Sequence, residues 1–363
     1  MNLLIIGGTG SLGKALIWNL QDDYLRSEKR WERHVMSALL EADWVNQVSM
    51  LEDMWQSSHS KPTKLVNYID PESAIGVFYN KISIASRYNF RGLFFYSGGE
   101  ITDEIEQVSK DWNLIQESYQ DKLIISGSFI GQPFLRERLD KLGEQFIEDL
   151  PFSLVPKVED TDSWKNKIIL WNQGDFPYVI RGHYGDMYKE VLAWLCNKLE
   201  KSPETEFHVL TYLDFLSGSS TERQLYEQMD ASPFTSCLSP HKKQIKLHPA
   251  IGWRQLQELF KLTKLNISKI NVLCHPVIEA GVHGIPTIVS TFESENYPLL
   301  TTKETNGSRW NSREYVEILD QLDKDYKFYN KWSEAHRNYI EENNTYRAFT
   351  DKFREVLQKR KLL

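Results

Sequence analysis

Apolar positions along the chain fall into short β-branched runs and longer stretches with helical spacing. The short runs are typical of buried strands, and apolar residues every three or four positions are typical of amphipathic helices. Strands that alternate with helices predict parallel sheets with crossover helices, hence the α/β fold class. We predict strands at Leu3–Ile6, Leu65–Ile69, Gly92–Tyr96, Leu123–Ser126, Lys167–Leu170, Tyr178–Ile180, Phe207–Tyr212, Ile270–Leu273 and Ile285–Ser290, and helices at Trp31–Leu40, Glu104–Tyr119, Tyr188–Leu199 and Trp253–Leu262.

A polar segment with a proline, Val155 to Ser163, interrupts this alternation near the middle of the chain. A chain of 363 residues is long enough for two domains. We therefore predict one domain over residues 1–155 and a second over 156–335. The tail carries amphipathic helical patterns at Ser312–Leu322 and Arg337–Lys361, and we expect residues 336–363 to form a C-terminal helix.

The composition restricts the class of protein. The chain has 41% hydrophobic and 26% charged residues, and we expect no transmembrane segment because no apolar run approaches about 20 residues. The opening MNLLIIGGTG lacks a basic leader and is interpreted as a first strand. Three cysteines without CxxC spacing argue against a disulfide framework or a zinc site, which favours a cytoplasmic location.

The first strand leads into Gly8-x-Gly10-x-x-Gly13, followed by a helical stretch. Such a loop lets backbone amides approach a phosphate, and Gly10 would be the central contact. The alternative is a tight turn that packs the helix on the strand and binds no ligand. It resembles the opening of short-chain dehydrogenases and epimerases, so an NAD-dependent enzyme is one alternative. Against it, Glu28 to His34 looks like a helix start and not a second strand ending in an acidic residue, and no tyrosine has lysine four positions later.

A second loop motif lies late in the chain: Asn271-Val-Leu-Cys-His-Pro-Val-Ile-Glu-Ala-Gly-Val-His-Gly-Ile-Pro-Thr-Ile288. This run resembles the donor-site signature E-G-F-G-L-P-V-L-E-A-M-A-x-G-x-P-V-I of GT-B glycosyltransferases. The resemblance implies two Rossmann-like α/β/α domains that face each other across a cleft. Residues 1–155 would form the acceptor-side domain and residues 156–335 the donor-binding domain, and the helix of residues 336–363 would cross back to the first domain. It also implies a nucleotide-sugar donor, a UDP- or GDP-sugar, and no required metal. Asn271 replaces the family's first glutamate, which leaves the stereochemistry of transfer open.

The resemblance also implies roles for individual residues. Glu279 would accept hydrogen bonds from the donor ribose, and the loop with Cys274 and His275 would offer amides to the diphosphate. A carboxylate beside amide donors suits a neutral diol next to a charged pyrophosphate. A plain capped helix with a solvated Glu279 is the alternative. The segment Tyr178 to Gly185 is interpreted as a strand, a glycine loop and a helix start. It adds four contacts to the diphosphate: Arg181, Gly182, His183 and Gly185. A further segment, Ile245–Phe260, resembles the one that holds the base of the donor.

An inverting reaction would need a carboxylate to take the acceptor proton. Glu100 follows the strand Gly92–Tyr96 and a double glycine, and Asp103 lies three residues later. We predict Glu100 as the base with Asp103 in reserve. A retaining reaction would need no dedicated base.

The expected acceptor is a glycan or a lipid-linked saccharide, and peripheral membrane contact is compatible with it. The layout also resembles that of T-even phage DNA glucosyltransferases, which glycosylate a flipped, hydroxymethylated base. The net charge of −7 counts against DNA because duplex binding relies on lysine and arginine. Two Asp-x-Asp triplets, at residues 160–162 and 323–325, are interpreted as solvated and not as metal ligands.

Overall fold

The computed structural model divides the chain into two compact units. The described residues up to Lys157 and those from Glu342 to Leu363 form the first unit, and those from Val158 to Glu341 form the second. The structure describes residues 1–6, 30–50, 64, 66, 68–78, 81–97, 101–127, 136–151, 154–159, 162–172, 176–181, 185–210, 222–248, 253–267, 275–290, 300–302 and 312–363.

The first unit contains a five-stranded parallel sheet in the order β2-β1-β3-β4-β5. The register places Ile5 opposite Val77, and Phe94 opposite both Val77 and Ile124. An all-parallel sheet requires crossover connections, which cover both faces with helices. The strands are β1 (Asn2–Ile6), β2 (Gln47–Met50), β3 (Ala74–Phe78), β4 (Gly92–Ser97) and β5 (Leu123–Gly127).

Alternate residues of these strands bury into two separate cores, as the two-residue period of a strand requires. Phe94 packs on one face and Phe95 on the other. The first face is covered by α1 (Arg30–Glu41) and by the C-terminal helix α13 (Tyr346–Lys359). The second face is covered by α2 (Ile82–Ala85), α3 (Ile101–Gln107) and α4 (Ser109–Tyr119), and α5 (Arg136–Leu142) contributes its last residue.

Helix α13 is fixed in the first unit by aromatic and ionic contacts. The rings of Phe353 and Phe94 lie 4.6 Å apart between centroids. At the end of the helix, the Arg360 guanidinium donates to Glu148 Oε1 at 2.6 Å, and Lys359 Nζ reaches the same carboxylate at 3.1 Å. The C-terminal residues are therefore part of the core of the first unit.

The second unit contains a parallel sheet in the order β8-β7-β6-β9, and β10 pairs in parallel with β11. A bridge between Asn266 and Thr287 connects β9 to the residue before β10, which gives the spatial order β8-β7-β6-β9-β10-β11. This is the 3-2-1-4-5-6 order of a doubly wound sheet. The strands are β6 (Ile168–Trp171), β7 (Glu206–Leu210), β8 (Ile245–His248), β9 (Thr263–Ile267), β10 (Ile288–Ser290) and β11 (Leu300–Thr302).

Helices again cover both faces. Trp171 and Phe207 pack against α7 and α11, whereas Leu170 and Leu210 pack against α9 and α10. The helices of this unit are α6 (Phe176–Ile180), α7 (Gly185–Lys201), α8 (Glu222–Ala231), α9 (Trp253–Lys261), α10 (His275–Val282), α11 (Ser312–Lys324) and α12 (Tyr326–Asn343), with a 3₁₀ helix at Ser236–Gln244.

The α/β class is confirmed, and several predicted elements are wrong. Residues 178–180 lie in helix α6, because Phe176, Val179 and Ile180 bury at helical spacing. The described residues of 65–69 belong to no named strand, but Val48 N donates to Lys64 O at 2.8 Å and Val66 N donates to Val48 O at 2.9 Å, so the backbone at this predicted strand pairs with β2. The stretches 104–119 and 337–361 each contain a break, the second at Thr345, whose side chain caps α13. The predicted strand 270–273 lies outside the described residues.

The expectation that the cysteines do not pair is wrong for two of them. Cys196 on α7 and Cys237 on the 3₁₀ helix form a disulfide, with Cα atoms 6.1 Å apart. The two residues are 41 positions apart, so only the packing of these helices brings them together. In the described ranges, no helix is long and apolar enough to cross a membrane.

Candidate functional site

The second sheet reverses its winding direction between β6 and β9, which are neighbours in space but distant in sequence. In doubly wound sheets, ligands bind outside the carboxyl ends of the strands at such a reversal. The segment after β6 leads through α6 to Arg181, and the segment after β9 leads to α10. Arg181 and α10 therefore follow the two strands at this edge of the sheet.

Helix α10 carries the carboxylate that the sequence singled out. Glu279 is completely buried, so the alternative of a solvated glutamate is wrong. Its neighbour Ala280 packs against the core formed with Leu256, Phe260 and Ile285. Burial of a carboxylate is costly unless polar groups satisfy it.

Two glycines let α12 pack tightly against α10. A Cβ atom on Gly281 would lie 2.2 Å from Ile340 Cδ1, and one on Gly284 would lie 2.1 Å from Arg337 Nη2. Gly284 also has a φ of +68°, which favours glycine. Its carbonyl accepts hydrogen bonds from the hydroxyls of Ser163 and Ser333, at 2.9 and 2.6 Å. The turn after α10 is thus held from two sides.

Two buried histidines next to α10 are neutral at physiological pH. Burial lowers the pKa of His283 to about 4, and its Nε2 lies 2.7 Å from Gln257 Oε1. Burial lowers the pKa of His336 to about 3, with a backbone hydrogen bond at Ile285 opposing the shift. These side chains therefore add no positive charge next to α10.

Arg181 is exposed and follows α6 directly. Gly185 is the first residue of α7, and His275 is the first residue of α10, so each begins a helix and not a loop. Amide groups at a helix start have no intrahelical acceptor and are suited to phosphate oxygens. The side chain of His275 lies outside the described part of the structure.

A hydrogen-bonded chain at β7 and β8 was missed by sequence reasoning. Glu206 Oε2 lies 2.8 Å from His208 Nε2, and His208 Nδ1 lies 3.0 Å from His248 Nε2. Hydrogen bonds from Lys246 and then His208 lower the pKa of Glu206, so it accepts from His208. Burial lowers the pKa of both histidines, that of His248 to about 4. Neutral His208 then accepts a hydrogen bond at Nδ1 from the Nε2–H group of His248. His248, the last residue of β8, therefore has an unprotonated Nδ1. The sequence signal that could have found this chain is the polar residues at alternate positions of β7 and β8.

In the first unit, Asp103 is exposed in the first turn of α3, while Glu100 lies outside the described residues. The neighbouring Glu104, which was not predicted, accepts hydrogen bonds from the backbone amides of Lys81 and Ile82. Lys81 has a left-handed φ of 55°. Burial raises the pKa of Glu104, and the two amides oppose this. Glu104 therefore ties the segment after β3 to the helix after β4.

Several residues predicted for the site lie outside the described part of the chain. They are Gly10, Gly182, His183, Asn271 and Cys274, together with Glu100. In the ranges that the structure describes, no group of three or more histidine, cysteine and acidic side chains could hold a metal ion.

No protein-family model matches this sequence, and no curated protein matches it. Solved structures do match it in fold. Sucrose-phosphate synthase from Thermosynechococcus elongatus superimposes with a TM-score of 0.62 at 11% identity, covering 99% of each chain. HepE from Anabaena, in complex with UDP and glucose, gives a TM-score of 0.56 at 10% identity over 99% of this chain and 100% of that one. A glycosyltransferase from Rickettsia africae gives a TM-score of 0.51 at 10% identity, over 99% of this chain and 98% of that one.

These likenesses extend over nearly the whole chain, although the sequences have diverged almost completely. The two parallel sheets, each wound with helices on both faces, agree with them. The chain has the GT-B fold of two Rossmann-like domains.

Proposed function

We propose that the protein is a glycosyltransferase that transfers a sugar from a UDP- or GDP-sugar to an acceptor hydroxyl. The observation that carries this proposal is the position of Glu279, on the helix that follows β9 at the winding reversal of the second sheet. Similar folds support it: Anabaena HepE is solved with UDP and with UDP-glucose, at TM-scores of 0.56 in both cases. The likeness to sucrose-phosphate synthase points to the same reaction class.

In this proposal Glu279 accepts hydrogen bonds from the two ribose hydroxyls of the donor. Amides at the start of α10, from His275 and the preceding Cys274, bind the diphosphate. Arg181 adds a planar guanidinium to the phosphate oxygens, and Gly182, His183 and Gly185 supply the adjoining loop and helix start. Stabilising the departing diphosphate in this way is the main source of catalysis.

The acceptor hydroxyl loses its proton during transfer. If the enzyme inverts the anomeric centre, Glu100 is the proposed base and Asp103 the reserve. The exposure of Asp103 at the start of α3 agrees with access to an acceptor. If the enzyme retains configuration, positioning and leaving-group stabilisation carry the reaction without either carboxylate.

The proposed acceptor is a glycan or a lipid-linked saccharide, with a hydroxymethylated DNA base as the alternative that the acceptor assay distinguishes. Peripheral contact with a membrane agrees with a lipid-linked acceptor. A cytoplasmic setting stays a prediction, and the disulfide between Cys196 and Cys237 is a reason to test it.

A nicotinamide cofactor in the first unit is a second candidate, favoured by one observation. The second strand, β2, ends at Met50, and Glu52 follows two residues later. The prediction that residues 28–34 begin a helix is confirmed, because α1 starts at Arg30, and the second strand lies later in the chain. An acidic residue there is where a dinucleotide ribose is held in dehydrogenases. Gly10 would then contact the cofactor phosphates.

A thermal-shift panel distinguishes these functions because a ligand that binds only the native state raises the melting temperature. We expect UDP or GDP, and the corresponding nucleotide sugar, to raise it, with about 2.7 kcal/mol of added stability at a ligand concentration of 100 Kd. Stabilisation by NAD alone, lost in Gly10→Val, would overturn the proposal in favour of a dehydrogenase. Acceptors are then compared by transfer of radiolabelled sugar to glycans, lipid-linked saccharides and hydroxymethylated duplex DNA.

A further inference from the structure

A cavity of about 350 Å³ lies at the amino ends of three strands in the second unit. Lys167 immediately precedes β6, Thr205 immediately precedes β7, and Lys264 is the second residue of β9. Because the strands are parallel, this edge is opposite the one from which Arg181 and α10 follow. Strands of this length separate the two edges by about 15 Å. The cavity is therefore separate from the proposed donor site.

The lining of this cavity is rich in positive charge. Four lysines and two carboxylates line it, in a chain whose net charge is −7. Two of the lysines also have surface partners: Lys165 Nζ lies 2.9 Å from Asp162, and Lys167 Nζ lies 3.6 Å from Glu204. A concentration of lysines in an acidic protein favours an anionic ligand. The charged lining residues are Lys165, Lys167, Lys198, Lys264, Glu204 and Asp323.

Two of the lysines share a single buried carboxylate. Lys198 Nζ donates to Asp323 Oδ2 at 2.6 Å, and Lys264 Nζ donates to Oδ1 at 3.0 Å and to the backbone oxygen at 2.9 Å. The Asp323 side chain is only 7% exposed. An ammonium has three N–H donors, and Lys198 uses one of them among the described residues. Two cations share one anion, so this group carries a net positive charge, and both lysines line the cavity.

The neighbouring lysines contribute to a lowered pKa of Lys264. Burial lowers its pKa, Asp323 opposes the shift, and the charges of Lys198 and Lys167 lower it further. The Lys264 ammonium also lies 4.0 Å from the centroid of the Trp164 ring. A bound anion would offset the repulsion between the lysines. The aromatic ring offers the ammonium only the weaker attraction of its face.

We propose that this cavity is a second ligand site, which binds the phosphate group of a phosphorylated small molecule. Lysine binds phosphate as a point charge, and several lysines from different elements match its three oxygens. The volume falls in the range of about 300–1,000 Å³ typical of small-molecule sites and exceeds what one phosphate ion needs. Trp164 and Ile169 supply an apolar wall for the remainder of the molecule.

The test uses isothermal titration of the full chain at constant ionic strength, with inorganic phosphate and glucose 6-phosphate as probes. We expect one site per chain, unchanged by saturating UDP and by Glu279→Ala, because the donor site lies at the other edge of the sheet. Tighter binding of glucose 6-phosphate identifies a phosphorylated organic ligand, and equal binding identifies free phosphate. Displacement of the probe by UDP would instead assign it to the donor site and overturn the proposal.

Lys167→Gln is the first informative variant because this side chain is 60% exposed and its loss leaves the fold intact. We expect its dissociation constant for phosphate to rise roughly tenfold. Lys242→Gln is the matched control: Lys242 is 43% exposed, pairs with Asp230, and lies outside the cavity. Equal weakening in both variants would mean non-specific attraction and contradict the proposal.

Asp323→Asn separates a ligand site from a purely structural ion pair. The amide keeps the shape of the side chain and removes the negative charge that competes with a bound anion. We expect phosphate to bind several-fold more tightly, although the free chain loses stability. No detectable phosphate binding in either the wild-type chain or Asp323→Asn would overturn the proposal. If Asp323→Asn does not fold, the comparison of Lys167→Gln with Lys242→Gln decides.

Discussion

At the scale of the residue, the motif around Glu279 combines chemistry with close packing. Glu279 is buried in α10, and Gly281 and Gly284 lie where α12 leaves no space for a side chain. The small residues were apparent in the sequence, but their partners were not, because Ile340 and Arg337 approach from a helix more than 50 residues later. Periodicity predicts which face of a helix is buried and not which helix covers it.

Gly281→Ala is expected to destabilise the chain by about 1–3 kcal/mol, since the new methyl group overlaps Ile340 Cδ1. Urea unfolding of the second unit measures the change. Ile340→Val removes that one carbon atom, so the double variant should lose less stability than the sum of the two single changes. Strict additivity would mean that the two side chains do not meet.

The neutral histidines His283 and His336 predict a pH dependence of stability. Their pKa values are about 4 and about 3 in the folded chain, below the value of about 6.5 in an unfolded one. The unfolded state then binds more protons between these limits, so stability is complete above pH 6.5 and is lost as the pH falls. We expect a loss of roughly 2 kcal/mol per histidine between pH 7 and pH 5.

Urea unfolding at the two pH values measures this loss. His283→Gln should reduce the pH dependence by the share of one histidine, whatever it does to the stability at pH 7. An unfolding free energy that stays constant from pH 7 to pH 5 would contradict the buried, neutral state of both rings.

At the scale of the element, the sequence predicted helices better than strands. Long amphipathic stretches such as α7 and α9 have several turns of consistent spacing, which makes their pattern specific. Short apolar runs do not distinguish a strand from a buried helix, and residues 178–180 were misassigned for that reason. Strands β2, β3, β9 and β11 were missed because three to five residues offer little pattern.

The disulfide between Cys196 and Cys237 joins α7 to the 3₁₀ helix before β8. Closing a loop whose ends are 41 positions apart lowers the entropy of the unfolded chain, and we expect it to add about 4 kcal/mol of stability. Cys196→Ser should therefore lower the unfolding free energy by about this amount under oxidising conditions. A reductant should destabilise the wild-type chain and leave Cys196→Ser unchanged; equal responses would contradict the pairing.

At the scale of the whole molecule, alternation of strands and helices predicted the α/β class, and the donor motif predicted the two-domain fold that solved structures share at 10–11% identity. The partners of individual elements were beyond the sequence. Phe349 and Phe353 belong to the last helix, yet they pack against Phe94 in the first unit. The proposed base, Glu100, rests on its place after β4 and on the resemblance alone.

The central claim is that Glu279 holds the ribose of a nucleotide diphosphate. Isothermal titration of UDP, and of GDP where UDP does not bind, into the wild-type chain and Glu279→Gln tests it most directly. Two lost hydrogen bonds to a charged acceptor predict a dissociation constant roughly 10- to 100-fold higher for Glu279→Gln. Glu258→Gln, a change of an exposed carboxylate on α9, is the matched control and should bind as the wild type does. Equal dissociation constants for a folded Glu279→Gln and the wild-type chain would contradict the account.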